Sequence, residues 1–204
     1  MSLLGMQLTT RDIEIMRFIN DCGFCEMPQM ERCFGIKPQR SYRIIGRLVK
    51  AGLVHHERAR YRQYGAYYLT RKGASYTALP PIIKLRMRQY DHQIALTNLY
   101  LRLREEYPDM NWISERHLKH DKFFDGLGKV GHIPDGLMVF PDGKQIAIEV
   151  ELSVKGKNRL SRILMSYGTQ LEIKEAWYYC APSVISVVQR AAAGFSFIKI
   201  YPLH

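Results

Sequence analysis

Apolar residues in the first eighty positions recur every three or four places, the period of a helix with one buried face. Thr9 or Thr10 suits the cap of a first helix whose apolar face holds Ile13, Met16, Phe18 and Ile19. A short second helix fits residues 28–34 and stops at Gly35, and a third fits residues 38–51 and stops at Gly52. In the third, Ile44, Ile45, Leu48 and Val49 keep helical spacing. Beyond it the pattern shortens to a hairpin, with residues 53–62 running out, a turn near 63–65, and residues 66–70 returning.

Pro80-Pro81 ends that pattern, because a proline pair stops a helix and pushes the residue before it towards extended geometry. The boundary between two domains, 1–80 and 81–204, is placed there. After it the spacing predicts one long helix over 83–107, with Leu85, Leu96, Leu99, Tyr100 and Leu103 among its apolar positions, serving to link or dimerise as well as to pack. Strands follow over 112–118, 133–140 and 145–152, with Pro141-Asp142-Gly143 as the turn between the last two. A helix over 158–171, a strand over 176–181, a helix over 184–193 and a strand over 195–201 complete an α+β chain.

Charge turns this outline towards a partner. Thirty Lys and Arg against nineteen Asp and Glu give +11 and favour a polyanion. On the third helix Arg40, Arg43, Arg47 and Lys50 fall in a stripe about 80° wide, opposite the apolar face. One side of such a helix packs while the other meets phosphates or base edges. Arg58, Arg60 and Arg62, spaced by two, would project from one face of an extended strand and track a DNA backbone. Three helices and a basic hairpin, with Ala51-Gly52-Leu53-Val54 and then the run from Tyr67 to Gly73, closely resemble winged helix-turn-helix domains. The resemblance implies double-stranded DNA as the partner.

The strand over 145–152 carries the candidate chemistry. Its alternation sends Ile146, Ile148, Val150 and Leu152 to one face and Ala147, Glu149 and Glu151 to the other. Two carboxylates about 6.6 Å apart along a strand raise one another's pKa or recruit a cation. Asp135 on the neighbouring strand supplies a third oxygen donor, and three carboxylates with water suit Mg²⁺ or Mn²⁺. Pro134-Asp135, fourteen positions on to Glu149, then Glu149-Val150-Glu151, resemble the PD-(D/E)XK nuclease superfamily, with a restriction-endonuclease-like α/β domain and a mixed central sheet implied.

That resemblance implies Asp135, Glu149 and Glu151 as metal ligands and catalytic residues. Glu151 stands where the motif usually has lysine; some restriction endonucleases have Glu-x-Glu there and remain active. Lys155, with Lys157 as its neighbour, and Arg159 are candidates for neutralising the phosphate. Glu115 is a further possible ligand, better explained as a surface ion pair, and His92 and Tyr167 read as packing residues before catalytic accessories.

The two halves together, with Ile133-Pro134-Asp135-Gly136, the run from Glu149 to Ser153, Lys155, Arg159 and Tyr167, resemble replication-relaxation proteins of plasmids and MobC-type mobilization relaxases. These imply nicking at an origin, with a homodimer or relaxosome proteins as further partners. The competing expectation is a non-enzymatic DNA-binding regulator or relaxosome accessory with a degenerate nuclease domain; an RNA-processing factor is a weaker third.

Other classes recede. No apolar run reaches the roughly 18 residues of a membrane span, and a secretory leader is not recognisable, so the expected setting is cytoplasmic, with no membrane partner. Cys22, Cys25 and Cys33 with His55-His56 offer four ligands for structural zinc, but their spacing is not a standard one and cysteine commonly fills cores, so reduced thiols are expected.

Overall fold

Thr9 starts the first helix, α1 (Thr10–Asp21), through a reciprocal cap: its hydroxyl oxygen accepts from the Asp12 amide, and the Asp12 carboxylate accepts from the Thr9 amide. A two-residue strand β1 (Cys25–Glu26), helix α2 (Met27–Phe34) and helix α3 (Pro38–Lys50) follow. Pro38 opens α3, where its missing N–H costs nothing. Gly52, at φ +70°, lets the chain turn out of α3 while the Leu53 amide donates back to the Leu48 carbonyl at 3.0 Å. The hairpin β2 (Val54–Glu57) and β3 (Ala66–Leu69) pairs Val54 with Leu69 and Glu57 with Ala66. β1 adds to the other edge of β3, giving an antiparallel sheet ordered β1-β3-β2. Ile15, Met16, Ile19, Met30, Ile45, Leu48 and Leu69 fill the core among these elements. Each such side chain contributes about 1.5–3 kcal/mol relative to leaving it exposed.

This is a computed structural model, which describes residues 7–124, 132–154 and 156–203. The chain divides into two compact units, Met1–Leu101 and Arg102–His204. After the short helix α4 (Arg71–Ala74) and a single 3-10 turn (Met87–Gln89), helix α5 (Tyr90–Glu106) begins in the first unit and ends in the second. Its opening turns belong to the first unit through the buried Gln29, whose amide donates to the Ile94 carbonyl at 3.0 Å and to Asn98 Oδ1 at 2.9 Å. Residues 83–86, expected to be helical, are not; Leu85 packs with Phe24 and Tyr90 instead.

The second unit orders β4 (Asn111–Ser114), α6 (Glu115–Phe124), β5 (Gly136–Val139), β6 (Gln145–Glu151), α7 (Lys157–Tyr167), β7 (Ile173–Cys180), α8 (Ile185–Ala192) and β8 (Ile198–Pro202). The sheet runs β4-β5-β6-β7-β8, antiparallel among the first three strands and parallel among the last three. A mixed five-stranded sheet with helices and a separate small antiparallel sheet make the chain α+β. The Pro141-Asp142-Gly143 turn forms as expected, with the Lys144 amide donating to Asp142 Oδ1 at 2.9 Å. β6 lies mid-sheet and is buried from Ile146 to Glu151, so both its faces are covered.

Three further expectations are corrected. The strand over 112–118 ends at Ser114, because the Ser114 hydroxyl accepts from the His117 amide and caps α6. The strand over 133–140 begins only at Gly136, since Pro134 has no N–H to give a neighbouring strand. The outgoing arm of the hairpin stops at Glu57, so Arg58, Arg60 and Arg62 lie in a loop and not along one strand face. No helix among the described residues is long and apolar enough to cross a membrane.

Candidate nucleic-acid interface and carboxylate site

The buried side of α3 is Ser41, Ile45 and Leu48, which leaves Arg40, Arg43 and Lys50 exposed on the other. Arg47 is engaged differently. Its Nη2 lies 2.6 Å from Oδ1 of Asp12, a carboxylate only 1% exposed. Burial opposes charge on Asp12, but the Thr9 hydrogen bonds and the Arg47 guanidinium outweigh it and lower its pKa. Arg11, Lys37, Arg40, Arg43 and Arg47 line one cleft of about 1380 Å³ between the start of α1 and α3. Asp12 and Glu14 also line it, and the cations outnumber them.

In the β2–β3 loop Arg58 and Arg62 are exposed, whereas Arg60 is anchored. Its guanidinium donates to both oxygens of Asp91, at 2.6 and 2.9 Å, and stacks 4.9 Å over the Tyr90 ring. The Tyr90 hydroxyl in turn donates to Glu26. Burial, with Tyr42 nearby, pushes the pKa of Tyr67 on β3 up to about 12, while the nearby Arg58 pulls it down.

In the second unit the sheet gathers carboxylates beneath α7. Glu149 and Glu151, 1% and 3% exposed, share a face with Ala147, which packs on Leu160, Leu164 and Tyr167. A buried carboxylate costs several kcal/mol unless partnered. Glu149 Oε1 accepts from the Tyr167 hydroxyl and meets His132 Nε2 at 2.7 Å. Asp135 reaches across from the lead-in to β5, its Oδ2 accepting at 2.8 Å from the Val150 amide, between the two glutamates. The structure thus brings Asp135, Glu149 and Glu151 to one end of β6.

Two residues of this site were not singled out in the sequence. His132 has a local signal, three positions before Asp135 in an extended lead-in. Tyr178 has none, because only the β6–β7 register sets it beside Glu149. Its hydroxyl is buried with no hydrogen-bond partner among the described residues. Burial, then the charges of Glu149, Glu151 and Asp135, push the pKa of Tyr178 up; burial and Glu149 do the same to Tyr167.

Carboxylate oxygens are the donor type that a hard divalent cation takes, and the orphaned Tyr178 hydroxyl lies within the field of the trio's charges. Among the described residues no three His, Cys, Asp or Glu side chains form a group that could hold a metal ion. Lys155 lies outside the described residues, and Arg159 is exposed in the first turn of α7. Glu115 pairs with Lys119 one turn along α6. Cys22 and Cys25 are buried in the first core and Cys33 packs against it, while the His55 and His56 rings lie against Tyr68 and Tyr67.

Compared with protein-family models, with curated proteins and with solved structures, the chain matches none.

Proposed function

We propose that this protein binds duplex DNA through a winged helix-turn-helix in its first unit, and that its second unit is a PD-(D/E)XK-like domain that nicks the backbone with a divalent metal. The observation that carries the DNA reading is α3, buried on one side and bearing exposed Arg40, Arg43 and Lys50 on the other. Arg58 and Arg62 in the following loop add cations for the backbone. The strand–strand–helix–strand order β5-β6-α7-β7, with the Asp135 and Glu-x-Glu carboxylates at the end of β6, supports the nuclease reading. The resemblance to plasmid replication-relaxation and mobilization proteins makes an origin of a mobile element the proposed target.

Asp135, Glu149 and Glu151 would hold Mg²⁺ or Mn²⁺, which when bound lowers the pKa of water and offsets charge on phosphate. The chain's own groups do the positioning. Tyr167 and His132 fix Glu149, the Val150 amide fixes Asp135, and the exposed Arg159 offers a cation to the phosphate. Supercoiled plasmid incubated with Mg²⁺ or Mn²⁺ tests the reading: the wild type yields open circles and Glu149→Ala does not. Equal nicking by both refutes it.

One observation favours a second reading, a DNA-binding regulator with a degenerate nuclease domain. Glu149 already has two organic partners on one oxygen, an arrangement stable without an ion. Duplex binding with no nicking under either cation is its expected outcome.

A further inference from the structure

The β2–β3 loop holds more than the charge that duplex binding uses. Residues 58–65 read Arg-Ala-Arg-Tyr-Arg-Gln-Tyr-Gly, three cations interleaved with two tyrosines and no acid. Tyr61 is 86% exposed and Tyr64 54%. A ring held in water returns none of the burial free energy that normally accompanies an aromatic side chain. The Arg62 guanidinium lies 5.3 Å over the Tyr61 ring, backing one π-face. Arg62 itself sits at φ +56°, a left-handed conformation that glycine adopts without strain and arginine does not.

The loop is also tethered at Arg60. The Arg60 fork on Asp91, stacked over Tyr90, anchors the middle of the loop and leaves Arg58, Tyr61, Arg62 and Tyr64 facing solvent. Cations alone would suffice to follow phosphates. Cations alternating with exposed aromatic faces are the combination that holds unpaired bases, the charge tracking the backbone and the rings stacking on the bases.

Resting on the duplex-binding reading above, we propose that the β2–β3 loop is a base-stacking tip: Tyr61, backed by Arg62, engages unpaired bases of DNA next to the duplex that α3 holds. The partner is therefore a junction of paired and unpaired DNA, the structure an opening origin presents.

The test uses the full chain and two labelled probes, a 24-base-pair duplex and the same duplex with a central bubble of about five mismatches, compared by fluorescence anisotropy at one salt concentration. The wild type holds the bubble more tightly. Tyr61→Ala loses about tenfold on the bubble, the loss typical of one stacked base, and little on the duplex. Tyr61→Phe keeps the ring and retains the preference. A 2-aminopurine in the bubble is quenched by wild type and by Tyr61→Phe, and not by Tyr61→Ala. No bubble preference, equal losses on both probes, or tighter binding to an RNA bubble of the same sequence would overturn the proposal while leaving duplex binding standing. Failure to bind either DNA overturns both.

Discussion

Four cations of α3 are equivalent in sequence, yet their surroundings give them two jobs. Arg40, Arg43 and Lys50 face solvent, while Arg47 neutralises a carboxylate that is 1% exposed. Removing Arg47 strands that charge, and with one partner buried and the other partly exposed the cost falls between the surface and buried limits. Arg47→Ala is expected to lower stability by about 2 kcal/mol in urea unfolding. Arg43→Ala leaves stability within about 0.5 kcal/mol and instead reduces by about one the slope of log affinity for duplex against log salt. The sign for Asp12 follows from its depressed pKa. Its contribution is present above 3.8, the ordinary value, and is lost as pH falls through the folded value below it.

At the scale of elements, the lead-in to β5 decides where Asp135 stands. Gly136 follows it and pairs with Ser114, and a Cβ at 136 would come within 2.1 Å of the Trp112 ring. Unlike a surface side chain, an indole lying against a sheet has little freedom to retreat. Gly136→Ala therefore costs about 1–3 kcal/mol by urea unfolding, the range for overpacking; an unchanged midpoint would mean that Trp112 moves freely. The elements that sequence made legible are those with local causes. Gly52 stops α3, the Pro141-Asp142-Gly143 turn joins β5 to β6, and the alternation of β6 puts Glu149 and Glu151 together. The features that stayed hidden depend on distant partners. Arg60 turns to Asp91, thirty-one residues away, and Tyr178 reaches the carboxylates through a parallel register that no local pattern encodes, whereas the strand expected through Leu118 gives way to a local cap, the Ser114 hydroxyl accepting from the His117 amide.

For the whole molecule, a net charge of +11 favours a polyanionic partner, and the proposed function gives the two compact units separate tasks on a bound duplex. If the first unit supplies affinity and the second supplies chemistry, variants in each move different observables. Arg40→Ala combined with Arg43→Ala removes two phosphate contacts, which flattens the salt slope by about 1.8 and weakens duplex binding at least tenfold at moderate salt. In single-turnover nicking of supercoiled plasmid, that double variant reaches half-maximal rate only at correspondingly higher protein concentration, yet attains the wild-type plateau. Glu149→Ala does the reverse: its duplex affinity and salt slope stay as in the wild type, and its plateau is lost. A double variant whose plateau also collapses would show that the cations of α3 act in the chemical step. In that event affinity and cleavage could not be assigned to separate units. If instead no protein nicks but the double variant still loses affinity, the first unit keeps its role and the carboxylates beneath α7 serve the fold alone.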